Sequence, residues 1–390
     1  MDRRRRLGVR GQPPPARTAA RAAQVVSGQP SVRVLGIETS CDETSAAVVS
    51  GTPTAMVIES LVILSQDVHR LFGGVVPEIA SRQHLTGIVP AVDAALHDAG
   101  VTPGDLDAIA VTYAPGLVGA LLVGTSYAKA FAYAHDVPVV PVHHLEGHLF
   151  ATLLEHEQAA PPFTALLVSG GHTLLLDVPA WGRYTLLGQT RDDAAGEAFD
   201  KVAKLLGLPY PGGRPIEQLA AMADRPEHGH AHYFARPMLR RRAVVTDEDY
   251  YDCSFSGLKT AVLHAVRKAE QAGTLEQDRA SIARGFQDAV IDTLGEKVYR
   301  AAKAHRRGRV VLGGGVACNG ALQQAIRDRF AGRGGVVFAP SPRLATDNAA
   351  MIAAAGLFRA AQGERGAPTF TAVASMPLPG LIADRHAAAD

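Results

Sequence analysis

The chain has 390 residues, room for two or three domains and more than one buried core. Its apolar fraction of 47% and charged fraction of 20% are those of an ordinary soluble protein. With 39 Lys and Arg against 38 Asp and Glu, the net charge of +1 leaves no bulk footprint for nucleic acid or membrane.

That balance is uneven along the chain. Residues 1–31 hold seven arginines against the single acid Asp2, a local +6, which leaves residues 32–390 at −5. This Arg- and Pro-rich leader has neither helical nor strand periodicity. It reads as disordered, with an Arg-rich transit peptide and a misassigned translation start near Val32 as alternatives. Three scattered cysteines, Cys41, Cys253 and Cys318, cannot make a paired framework and suggest a reducing compartment. With no secretory pattern at the start, a cytoplasmic location is expected.

Val32 to Glu38 is a β-branched strand, and the loop Thr39 to Ser45 turns it into a second, Ala46 to Val49. A strand at Ile109–Tyr113 precedes the Ala- and Gly-rich stretch Gly116 to Ala134. That stretch contains Lys129 and reads as a closely packed helix, not a membrane span. A strand over Val137–Val142 runs into His143-His144-Leu145-Glu146-Gly147-His148. Further on, the strand Thr164–Val168, the polar loop Ser169 to Thr173 and a return strand Leu174–Asp177 repeat the opening pattern. Residues 226–251, charged and His-rich, read as an insertion. Arg309–Leu312 is a strand followed by Gly313-Gly314-Gly315 and a helix from about Asn319. Val336–Ala339 is a strand, and Thr346-Asp347-Asn348 opens a helix over Ala349–Leu357. Two strand–loop–strand units point to two α/β lobes that each offer a loop to one ligand. Hydroxyl- and Gly-lined turns with exposed N–H groups favour a nucleotide or phosphoanhydride.

His144 and His148, four apart, project from one helix face about 6 Å apart at Cβ. This is a divalent-metal spacing, or else two ordinary helix histidines seated by the Leu145, Leu149 and Leu153 stripe. Glu146 points off the shared face, so the pattern is not that of the H-E-x-x-H zinc proteases. Asp347, at a strand-to-helix loop, is either a helix-terminal acid or a third, hard ligand.

Taken together, these strings closely resemble the TsaD family, the tRNA adenosine threonylcarbamoyltransferases. The matching stretches span about Val32 to Arg365: GIETSCDET from Gly36, GGVVPEIASR from Gly73, PGLVGALLVG from Pro115, HHLEGH from His143 and LLVSGGHT from Leu166. They continue with DDAAGEAFDKVAKLLGLPYPGG from Asp192, SFSGLKT from Ser254, the glycine stretch through Asn319, and Thr346-Asp347-Asn348. Cys318, where the family usually has Ser or Ala, and the 31-residue leader depart from the pattern. Cys318 reads as a small buried hydrophobe or a redox-sensitive thiol.

The resemblance implies an α/β, two-lobed actin-like (ASKHA) fold. The lobes are residues 32–150 and 151–346, with a helix at about 347–362 packing back on the first lobe and a tail at 366–390. It implies transfer of L-threonylcarbamoyl from threonylcarbamoyl-AMP to N6 of adenosine 37 in the tRNA anticodon loop. His144, His148 and Asp347 fall on the family's metal ligands, with Fe(2+) or Zn(2+) implied. Leu167, Val168, Ser169, Gly170 and Gly171 fall on its substrate loop, and Asp200, Gly213, Glu217 and Asn319 on its ribose and adenine side. Glu38, Asp42 and Glu43 are candidates to help deprotonate the acceptor, Glu38 alternatively bonding only to the loop backbone. Partners implied are a TsaB-type paralogue, with Gly116–Ala134 as its docking region, and a TsaE-type ATPase. Arg240-Arg241-Arg242 and Arg306, Arg307 and Arg309 are small basic clusters, which more often mark solvated faces. Competing readings from the residues are an ATP-using kinase or chaperone-like ATPase, a metalloprotease, and a non-catalytic scaffold lobe.

Overall fold

A computed structural model describes residues 31–223, 233–239, 244, 247, 249–332 and 334–382. The leader up to residue 30 and the Arg240 to Arg242 cluster lie outside the described residues.

Three antiparallel strands open the fold: β1 (Val32–Glu38), β2 (Glu43–Thr52) and β3 (Ala55–Ser65). Helix α1 (Pro77–Ala99), strand β4 (Ala108–Ala114), helix α2 (Val118–His135) and strand β5 (Val139–His143) follow, and β4 and β5 add parallel to β1. The sheet order is β3-β2-β1-β4-β5. Helix α3 (His144–Leu153) then leads into the second half.

The second half repeats the plan. Strands β6 (Phe163–Val168), β7 (Thr173–Ala180) and β8 (Arg183–Gln189) are again antiparallel neighbours. Helices α4 (Ala195–Leu205), α5 (Gly213–Ala221), α6 (Ser256–Ala272) and α7 (Leu275–Ala304) come next. Strand β9 (Arg309–Gly313), helix α8 (Gly320–Phe330) and strand β10 (Val336–Phe338) complete the repeat, with β9 parallel to β6 and β10 parallel to β9. After the single turn α9 (Pro342–Ala345) comes helix α10 (Ala349–Ala361), and then β11 (Leu381–Ile382), which adds to β8. The order β10-β9-β6-β7-β8-β11 is the first sheet's order with one strand appended. The expected pair of strand–loop–strand units, β1–β2 and β6–β7, is therefore present in equivalent places.

Period-two alternation sorts the side chains of β1. Leu35 and Ile37 face α1 and α2, while Val34 faces α10. The Ala-rich sequence of α10 lets it lie almost on the strands. A methyl group at Gly36 would sit 2.2 Å from the Ala349 carbonyl oxygen, and one at Gly356 would sit 2.3 Å from the Ala110 Cβ. Helix α3 is buried along its whole length between the lobes. Its Leu145 and Leu149 pack on the second sheet, and its Phe150, Ala151 and Leu153 pack with α10 and the first sheet.

The close approach of α10 to β1 generates a test. Gly36→Ala should cost about 3 kcal/mol through overpacking against a rigid backbone, read as a shifted urea midpoint. Gly74→Ala, with nothing within 4 Å of the added methyl, should stay within about 0.5 kcal/mol.

Candidate metal centre

Helix α3 carries the two histidines, and α10 starts beside them. Asn348 caps α10, its Oδ1 accepting from the Met351 N–H at 3.0 Å and its Nδ2 donating to the Leu344 and Thr346 carbonyls. The Ala349 N–H donates to Ser45 Oγ of β2 at 2.9 Å, fixing the helix end on the first sheet. Asp347, one residue before the cap, lies at the positive end of the helix dipole. Its Oδ1 is 3.4 Å from His144 Nε2 and 3.3 Å from His148 Nε2. Gly147 faces α10 closely, a methyl there meeting the Ile352 side chain at 2.8 Å.

Around the trio, every other polar group on His144 is accounted for. Its Nδ1 is 3.2 Å from Glu38 Oε2 and 3.2 Å from Ser40 Oγ. Glu38 is fully buried and also accepts from the Ser40 N–H at 2.5 Å and the Thr112 hydroxyl at 2.6 Å. Burial alone would raise its pKa, but His144 holds it below the ordinary carboxylate range. Burial alone would lower His144, yet Asp347 and Glu38 outweigh it and raise it. Asp347 is itself driven well down, the imidazoles overriding its burial. The pocket is thus built to hold positive charge between its carboxylates.

A divalent cation fits this arrangement. The three ligand atoms of His144, His148 and Asp347 lie within 4.8 Å of one another. Both ring nitrogens of His148 are buried without a hydrogen-bond partner, and coordination through Nε2, which faces Asp347 Oδ1 at 3.3 Å, would relieve one of them. Glu38 on His144 Nδ1 leaves Nε2 directed at the trio, the carboxylate–histidine arrangement that supports metal sites. The N,N,O donor set suits iron or zinc.

The opposite lobe closes on the same place. Gly313 of β9 touches α3, where a methyl would lie 3.0 Å from the His148 carbonyl oxygen. Gly314, at φ +87, passes so near β6 that a methyl would meet the Val168 oxygen at 2.4 Å. In the β6–β7 loop, Ser169 Oγ accepts from the His172 N–H at 3.1 Å, and the Gly196 N–H of α4 donates to the Ser169 carbonyl at 3.1 Å. Gly170 and Gly171 have open space where side chains would be. Leu167 and Val168 bury their side chains in the core, leaving only backbone for a ligand. His172, absent from the sequence-derived set, lies close enough to the centre to feel it. Burial, then His144 and His148, push it down to about 4, so it is neutral.

Asp200, Gly213, Glu217 and Asn319 form a second group on α4, α5 and the start of α8. Asp200 Oδ1 accepts from the Gly212 N–H at 2.7 Å, and Gly213 beside it faces open space. Glu217 accepts from the Gly320 N–H at 2.7 Å. Asn319 caps α8 through Leu322 and donates to Gln287 Oε1 at 2.9 Å. A cavity of about 550 Å³ adjoins Glu217 and Gln287. The charge of Asp42 acts on Asp200 and Tyr210. Arg307 of the second basic cluster is occupied by Asp177, with contacts of 2.6 and 2.8 Å.

The profile of the TsaD family, described as tRNA N6-adenosine threonylcarbamoyltransferase, matches residues 57–354. The chain belongs to the TsaD family. A TsaD protein of Gemmatimonas aurantiaca, named tRNA N6-adenosine threonylcarbamoyltransferase, is 78% identical over 351 residues, covering 90% of this chain and 98% of its own. One of an Anaeromyxobacter species with the same name is 51% identical over 336 residues, covering 86% and 96%. Among solved structures, full-length HypF in a phosphate- and nucleotide-bound form aligns with a TM-score of 0.56 at 15% identity, over 86% of this chain and 47% of HypF. That likeness concerns the fold alone, and the chain has the two-lobed actin-like α/β architecture. As a TsaD protein it is a transferase that modifies tRNA. Among the described residues no helix is long and apolar enough to cross a membrane.

What holds the roll of α3 is Glu146, on the face away from the trio. Glu146 is fully buried, pairs with Arg359 Nε of α10 at 2.6 Å and accepts from the Tyr184 hydroxyl of β8 at 2.7 Å. Arg359→Met would leave that carboxylate uncompensated, at a cost of about 3 kcal/mol. Adding Glu146→Gln should recover more than half of the loss in chemical denaturation.

Proposed function

We propose that this TsaD protein transfers L-threonylcarbamoyl from threonylcarbamoyl-AMP to N6 of adenosine 37, in tRNAs reading codons that begin with A, forming t6A37. It does so with one divalent metal, Fe(2+) in the first place and Zn(2+) as the alternative, held by His144, His148 and Asp347. The convergence of those three side chains, with His148 otherwise unpartnered in the core, carries the reading.

The donor is a carbamoyl–phosphate anhydride. The new bond joins N6 to the carbamoyl carbon, the bond to the phosphate oxygen breaks, and N6 loses a proton. AMP leaves without needing much protonation, so positioning and charge stabilisation are the main demands. A bound divalent cation supplies Lewis acidity toward the donor's oxygens. In the Ser169 to Gly171 loop the Ser169 N–H is taken by the His172 carbonyl at 2.9 Å, so the N–H groups of Gly170 and Gly171 hold the threonyl or anhydride end, where the two glycines leave room. Asp200, Gly213, Glu217 and Asn319 orient the ribose and base, with the adjoining cavity for the nucleotide end. Glu38 has its oxygens engaged by Ser40, Thr112 and His144 and serves as a support for His144. Glu43 is pushed up to about 9 by burial, then by Asp42 and Asp347, and is protonated near neutrality. Of the three acids of the first loop, Asp42 is left as the acceptor of the N6 proton.

A TsaB-type paralogue is assigned to the outer face of α1 and α2. Leu85, Val89, Val118 and Leu122 are exposed there, and apolar residues grouped on adjoining helices favour a protein partner. A TsaE-type ATPase completes the assembly, which acts in the cytoplasm.

The test is transfer from purified threonylcarbamoyl-AMP to unmodified tRNA, with and without both partners. Modified adenosine should form, and His144→Ala should lose bound metal and at least about a hundredfold in rate while keeping its circular dichroism. ADP formation without the carbamoyl donor would point to an ATPase instead. Full turnover by the metal-free variant would remove the metal from the reaction.

A further inference from the structure

The segment that begins at Gly73 contributes nothing directly to the metal centre, yet α1 sends one buried side chain to the loop beneath it. His84 lies on the inner face of α1 with no exposed surface. Its Nε2 is 2.9 Å from the Cys41 carbonyl and its Nδ1 is 2.7 Å from the Thr44 hydroxyl. A carbonyl only accepts, so Nε2 carries the proton and Nδ1 accepts from Thr44. The ring therefore bridges the β1–β2 loop from Cys41 to Thr44. Burial lowers its pKa and keeps it neutral, as this pairing requires.

The loop has support on its other sides. The Gln66 N–H donates to the Asp42 carbonyl at 3.1 Å, and Gln66 Oε1 accepts from His69 Nε2 at 2.9 Å. From α2, the Leu117 N–H donates to the Ser40 carbonyl at 2.8 Å, while the Thr39 hydroxyl donates to the Ala120 carbonyl at 2.9 Å. Held between two helices, the loop keeps Ser40 Oγ 3.2 Å from His144 Nδ1.

We propose that His84 is a positioning residue for this enzyme. Its two hydrogen bonds to the loop set the Cys41–Thr44 turn, so that Ser40 stays against His144. Without the ring, a carbonyl and a hydroxyl lose their partner, and the turn must shift, admit water or engage the Gln66 amide, whose Nε2 lies 3.4 Å from the ring Nε2, to satisfy them. The consequence for turnover rests on the transferase reading above, whereas the consequence for the loop does not.

Cys41 lies within the turn and is partly exposed, so its alkylation rate, resolved by peptide mapping, reads the loop directly. In the metal-loaded enzyme, His84→Leu should raise that rate about tenfold or more, the scale of one lost buried hydrogen bond. It should lower kcat by a similar factor, with KM for donor and tRNA within about twofold and one metal per chain retained. His84→Gln, whose amide can still donate to the Cys41 carbonyl, should recover both rates to within about threefold of the starting enzyme. Thr44→Val, which removes one bond and keeps the ring, tests the same turn should His84→Leu fail to fold. Unchanged Cys41 labelling in the folded variants overturns the proposal, and so does a kcat loss that His84→Gln fails to relieve. An unsubstituted enzyme inert in transfer would instead overturn the function proposed above.

Discussion

Helix α3 must bury ten residues between two sheets while carrying two imidazoles and a carboxylate on its surface. Each buried polar group needs a partner, and a buried charge needs a counter-charge. The fold meets this demand with one element, α10, used at both ends. Its start brings Asp347 to His144 and His148, and its last turn brings Arg359 to Glu146. Because the histidines and Glu146 occupy different faces of α3, the two contacts together leave no freedom of roll. Tyr184 adds a contact from the second lobe, so the orientation of the helix is set by both halves of the molecule.

Such an arrangement is possible only where backbones come unusually close. Gly36 against Ala349 and Gly356 against Ala110 are points at which a side chain would separate α10 from the first sheet. The alanine run of α10 follows from the same requirement. Glycines on the cleft side behave differently, since Gly170, Gly171 and Gly213 have open space beside them. The first group serves packing and the second leaves room for a ligand. Composition alone does not separate these two uses.

Much of this is legible from residue patterns because the decisive elements carry strong ones. The strand β1, the His144–His148 spacing and the Asp347–Asn348 helix start are local signals, and the structure places all three together. The hairpin partner β3 carries no comparable signal. It is largely half-exposed, and its run Ala55–Ser65 mixes apolar and polar residues with a register shift opposite Val48 and Val49. Helix α1 is obscured by Gly87 and Pro90 in its interior, residues that ordinarily interrupt helices and are tolerated here by packing. Glu38 stands out in the sequence as chemically important, but its saturation with hydrogen bonds does not, since Thr112, 74 positions away, has no local pattern linking it to that carboxylate. His172 is visible within its motif, yet its nearness to His144 and His148 depends on how the lobes meet.

Charge distribution bears on how such a body engages tRNA. Residues 32–390 carry −5, and a phosphate backbone is not drawn to a surface of that sign by bulk attraction. Arg307 does not compensate, being bound to Asp177, and Arg309 reaches the Ala160 carbonyl. Arg307 is thereby committed to β7, while Arg309 stays exposed. Under the proposed function, bulk attraction does not bring the acceptor in, and the apolar face of α1 and α2 is where a presenting subunit would sit. That face and the Cys41–Thr44 turn lie on different faces of α1, Leu85 exposed and His84 buried. A subunit seated on α1 would press on the same helix that steadies Ser40 against His144, giving assembly a direct mechanical route to the centre.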